Sequence, residues 1–89
     1  MTMKELIMQR LNERLAPVYL QVEDQSSQHM GHAGWREGGE THFSLDIVSA
    51  AFEGKSRVER HRLVNDVVSE AFQRGLHALA IQARAPGEA

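Results

Sequence analysis

The chain has 89 residues, enough for one small domain that buries somewhat over ~60% of its unfolded surface. Hydrophobic residues make up 42% and charged residues 25%, an ordinary globular balance that excludes a disordered or fibrous chain. The net charge of −2 exerts no overall pull on nucleic acid or anionic membrane, and no apolar run approaches the roughly 18 residues of a membrane span. Cysteine is absent, which leaves five histidines as the side chains best suited to a soft transition metal. The first stretch, MTMKELIMQRLNERLA, carries two glutamates in an amphipathic pattern. It matches neither a secretory signal nor a mitochondrial presequence, so the expected location is the cytoplasm.

In chain order, Thr2 and Glu5 are spaced as a capping box. Met3, Leu6, Ile7, Leu11 and Leu15 follow at helical spacing, and Pro17 ends that helix. Val18, Leu20 and Val22 alternate with Tyr19, Gln21 and Glu23 as a half-buried strand. Residues 25–39 form a 15-residue loop that holds four of the seven glycines and two histidines. Hairpin loops usually take 2–5 residues, so this length marks a functional or a disordered segment. Phe43, Leu45 and Ile47 alternate with Ser44 and Asp46 as a second strand. Ser49 can cap a short helical turn through Phe52, ended by Gly54. Ser56 and Glu59 repeat the capping-box spacing at the start of the longest helix, whose apolar stripe is Val64, Val67, Val68, Ala71 and Phe72. Gly75 suits the left-handed residue past its end. Leu79, Ile81 and Ala83 give the third strand, closed by Pro86.

The expected fold class is α+β, an αββααβ single domain over residues 1–89. Its three-stranded mixed sheet carries helices packed on one face. Strands one and two are joined directly and are expected to pair antiparallel. Strand three returns after helices, and such a crossover leaves its two strands parallel. Strand two begins where the glycine-rich loop ends, and strand three begins at His77. The loop histidines and His77 therefore converge on one edge of the sheet. His42 has the parity of Ser44 and Asp46, which places it on the face opposite His77. His61 falls on the buried side of the long helix, where packing is the expected role. Trp35, the single tryptophan, serves either as a loop anchor or as a partner contact.

A second signal is the basic cluster Lys55, Arg57, Arg60 and Arg62, in a helix-turn-helix-like setting that could reach phosphates. Glu53 and Glu59 interleave with it, and Gly54-Lys55-Ser56-Arg57 lacks the second glycine of a GxxG nucleic-acid loop. Catalysis is not expected. There is no Ser/His/Asp spacing, no phosphate loop and no carboxylate pair in an evident pocket, and so small a domain has little room for a cleft.

ETHF at 40–43, IVSAAFEGKS at 47–56, RHRLVN at 60–65 and GLHALAIQARAP at 75–86 closely resemble the BolA family over essentially the whole chain. HMGHAG at 29–34 looks like the variable histidine-or-cysteine loop of that family, here with two histidines. The resemblance implies a fold related to type II KH domains. It also implies complexes with monothiol glutaredoxins that share a [2Fe–2S] cluster, and a role in iron–sulfur trafficking or iron homeostasis. Within that implied role, His77 and His32, or His29, are the candidate ligands to one iron. Two imidazoles can serve one iron of a [2Fe–2S] centre, as in Rieske sites, while the glutaredoxin and its glutathione supply thiolates to the other. No cofactor is expected in the isolated chain, because two histidines are too few for a closed structural zinc site. Some relatives are described as DNA-binding regulators of stress response or cell morphology. In that alternative, Lys55, Arg57, Arg60 and Arg62 are the contact residues.

Overall fold

The computed structural model of the chain describes residues 1–25 and 42–88. Both capping boxes form. The Thr2 hydroxyl accepts from the Glu5 amide at 3.1 Å while the Glu5 carboxylate accepts from the Thr2 amide at 2.8 Å, which opens α1 (Met3–Leu15). Ser56 and Glu59 repeat the exchange at 3.2 and 2.8 Å and open α2 (Arg57–Val67). In each case two amides without a helical partner are satisfied. The five apolar positions read as the stripe of α1 are all buried.

Three strands form one sheet: β1 (Tyr19–Asp24), β2 (His42–Val48) and β3 (Ala78–Arg84). Their order is β1-β2-β3, with β1 antiparallel and β2 parallel to its neighbour β3. That is the topology expected from a direct connection followed by a helical crossover. Phe43, Leu45 and Ile47 alternate inward along β2 and are almost fully buried. They pack in one core with Val22, the α1 stripe, Phe52, Val64, Val67, Val68 and Ala71, so the helices cover one face of the sheet. The other face carries Gln21, Glu23, Ser44, Asp46, Ala80 and Gln82 around a shallow concavity. On it Arg84 donates to Asp46 at 2.6 Å.

Two expectations are corrected. The long helix does not run unbroken from Ser56 to Phe72. It gives way at Val68, with φ −101° and ψ 22°, to a separate short helix α3 (Ser69–Gln73). Asn65, Asp66, Val67, Val68 and Ser69 are consecutive residues of modest helix propensity, so the bend falls where the helix is intrinsically weakest. Val68 still donates to the Val64 carbonyl at 3.0 Å, and Val67, Val68 and Ala71 all stay buried. The chain therefore turns to follow the core without leaving it. Val18, in turn, lies outside β1 and is 73% exposed.

Ser49 joins three elements. It is buried, its hydroxyl donates to the Leu15 carbonyl at 2.6 Å and accepts from the Ala51 amide at 3.1 Å, and its own amide donates to the Arg84 carbonyl. It thus caps the 3-10 turn over Ala50–Phe52 and also satisfies the C-terminal end of α1. No helix among the described residues is long and apolar enough to cross a membrane.

Candidate metal-binding edge

The N-terminal edge of β3 is built by the way α3 ends. Gly75 adopts φ +115°, a conformation that needs a residue without a Cβ. The Leu76 amide then reaches the Ala71 carbonyl at 3.0 Å and the Gly75 amide reaches that of Phe72 at 3.3 Å. This double closure is a Schellman motif, and its hydrophobic contact is supplied by buried Leu76 and Ala71. The turn sends the chain straight into β3 and leaves His77, exposed, one residue ahead of the strand.

The register brings that residue to the mouth of the glycine-rich segment. His42, the first residue of β2, pairs with Ala78, and the Gln25 amide donates to the His42 carbonyl at 2.8 Å. Both ends of the 26–41 segment therefore meet the described fold at the same edge of the sheet as His77, His42 next to the start of β3 and Gln25 one strand farther away. His29, His32 and Trp35 lie outside the described residues. The placement of His42 relative to His77 is corrected. Its ring centre lies 5.9 Å from that of His77, with the planes tilted by 45°, not across the sheet from it. His42 does keep the parity of Ser44 and Asp46. His77, however, precedes the strand, so two-residue alternation does not govern where its ring points. Among the described residues no group of three or more histidine, cysteine or carboxylate side chains is arranged to hold a metal. What the described residues offer at this edge is a pair of neighbouring imidazoles, His42 and His77.

The basic cluster is divided by the fold. Lys55, Arg57 and Arg62 are exposed, whereas Arg60 is largely covered and committed. Its guanidinium donates to both carboxylate oxygens of Glu88, at 2.6 and 2.8 Å, and to the backbone carbonyls of Lys55 and Ala83. Glu88 also accepts from the Ala85 amide at 3.0 Å. The bidentate pair ties the turn after β3 to the start of α2. His61 is half-buried between α2 and β3, beside Arg57, Ile81 and Ala83, in keeping with a packing role. No spacing in the sequence signals the Arg60–Glu88 pair, because its partners are 28 residues apart and meet only once β3 has returned.

The Arg60 guanidinium, helped by the Ala85 amide, lowers the Glu88 carboxyl from its ordinary 4.5 to about 2. A carboxyl depressed by folding adds stability that is fully present above its unfolded value and is lost as pH falls through the folded one. Glu88→Gln should therefore melt below the parent at neutral pH. The gap should close as pH drops from about 4.5 toward about 2, and added salt should narrow it because the pair is partly exposed. Thermal melts across that range are the check. A gap unchanged down to the acid end would show that Glu88 contributes no ion pair to stability.

A family model described as BolA-like protein matches residues 11–88. The chain is 52% identical to the SufE-like protein 1, chloroplastic/mitochondrial, of Arabidopsis thaliana over 92% of its own length and 23% of that protein. It is 46% identical to a Sinorhizobium protein named for the cobS 5′ region, covering 99% and 96% of the two chains. With human BolA-like protein 1 it shares 44% identity over 89% of its own length and 55% of that protein's. The chain thus spans from just under a quarter to a little over half of several relatives and nearly all of the Sinorhizobium one. Among solved structures, the BolA domain of SufE1 from Arabidopsis thaliana superposes with a TM-score of 0.87 at 50% identity, over 97% of this chain and 94% of that one. The solution structure of BolA1 from Mus musculus gives 0.76 at 38% identity, over 94% and 65%. The family model over residues 11–88, the similarity along nearly the whole chain and the superposed structures agree on one answer: the chain belongs to the BolA family.

Proposed function

We propose that the protein is a non-catalytic, cytoplasmic partner of a monothiol glutaredoxin, with which it shares a [2Fe–2S] cluster in iron–sulfur trafficking or iron homeostasis. The observation that carries this reading is the placement of His77. It is exposed, it stands at the edge from which the histidine-bearing segment leaves, and it belongs to a chain without cysteine. The donor chemistry suits the group. His77 with His32 or His29 would present two neutral nitrogens to one iron, while thiolates of the glutaredoxin and glutathione would hold the other. The cluster is cargo here, and this chain's part is to bind and orient it. The test is anaerobic reconstitution with a monothiol glutaredoxin and glutathione. A coloured complex containing both proteins should elute ahead of either alone. A cluster that stays wholly with the glutaredoxin, this chain eluting colourless, would overturn the reading.

DNA binding is our second reading, and the commitment of Arg60 counts against it. With Arg60 held by Glu88, three exposed cations remain in the cluster, so neutralising their phosphates gives a log–log salt slope no steeper than about −3. Binding should be weak and lost at physiological salt. Tight, sequence-specific retardation of a DNA fragment under those conditions would promote the regulator reading.

A further inference from the structure

We propose that His42 and His77 form a site for a divalent transition-metal ion of the zinc or nickel class in the isolated chain. The site stands on the described sheet edge and needs neither the 26–41 segment nor a glutaredoxin. The observation is the approach of the two rings, 5.9 Å between centres at a 45° tilt. Two imidazole nitrogens at ~2.0–2.1 Å from a tetrahedral ion place their ring centres roughly 5 Å apart. The observed separation exceeds that by less than about 1 Å, and binding also requires side-chain rotation that turns one nitrogen of each ring toward a common point.

The backbone beneath both residues is fixed, which is what a preformed site requires. His42 is held on one side by the Gln25 amide and on the other by its pairing with Ala78. His77 sits between the Schellman closure of α3 and the first residue of β3. Ordering these two side chains therefore demands little backbone rearrangement. His77 is exposed and His42 half-exposed, so an ion can enter from solvent. Imidazole is a good ligand for zinc, nickel and copper, and water completes the coordination. With two protein ligands the site is open and exchangeable, unlike the closed four-ligand sites that hold zinc structurally.

The test is a zinc titration of the full-length chain alone, followed by calorimetry and by NMR of the histidine ring nitrogens. The proteins compared are the parent, His42→Ala, His77→Ala and the double variant His29→Ala with His32→Ala. Zinc should shift the His42 and His77 rings together. Either single variant should bind more than about tenfold more weakly, since even an outer-shell partner is worth that much to a metal. The double variant should bind as the parent does. His42→Gln, which keeps most of the side-chain bulk, carries the comparison if His42→Ala unfolds. The proposal is overturned if a folded His42 variant binds zinc like the parent, or if the double variant loses the site. No glutaredoxin or cluster is present, so failure here leaves the shared-cluster reading standing, and failure of that reading leaves this one untouched.

Discussion

If the cluster is shared as proposed, His77→Ala should abolish the visible circular dichroism of the complex reconstituted with a monothiol glutaredoxin, while the variant should melt within about 0.5 kcal/mol of the parent. The stability half of this expectation follows from exposure: His77 projects from the edge of the sheet, outside the core, and surface substitutions usually cost no more than that. The spectroscopic half follows from ligand count. Removing one imidazole leaves an iron short of a donor, and this chain has no cysteine to take its place. His32→Ala should do less damage, because His29 lies three residues away in sequence and offers the same nitrogen donor. The double change His29→Ala with His32→Ala should then match His77→Ala. A parental spectrum retained by His77→Ala would show that the ligand assignment is wrong.

Much of this architecture was legible because local signals and topology agreed. The capping boxes at Thr2 and Ser56, the inward alternation of Phe43, Leu45 and Ile47, and Gly75 as a left-handed stop all depend on residues a few positions apart. The convergence of His77 with the ends of the 26–41 segment was legible too, since parallel pairing follows from the crossover alone. What the sequence hid was set by contacts distant along the chain or by exact element limits. The bend at Val68 reflects a contest between modest propensity and the path of the core, and the apolar stripe reads the same with or without it. The approach of His42 to His77 depends on β3 beginning at Ala78; a start one residue earlier would have subjected His77 to strand alternation. The commitment of Arg60 to Glu88 needed the returned strand and its terminal turn. A run of four cations accordingly looked more available than the fold leaves it.

Phe52→Ala should be the most damaging single substitution to the fold, costing about 3–5 kcal/mol by the usual scale for truncating a buried aromatic. Phe52 is fully buried although it stands in a three-residue 3-10 turn, where a side chain would ordinarily face solvent. Its ring joins the core that holds Val64, Val68 and Ile47, and its backbone makes the turn that follows. Its amide donates to the Ser49 carbonyl at 3.1 Å, and its own carbonyl accepts from the Lys55 amide at 3.2 Å, directly ahead of the capping box of α2. The ring thus anchors in the core the turn that leads into α2. A domain of this size has roughly 5–15 kcal/mol of stability in total, so the loss removes a large share of it. In urea the midpoint should fall steeply with little change in slope, because the variant unfolds from the same compact state. Phe52→Leu, which refills most of the space, should cost clearly less. A cost below about 1 kcal/mol for Phe52→Ala would mean that the core closes over the turn without it, and that the start of α2 is fixed by its capping box alone.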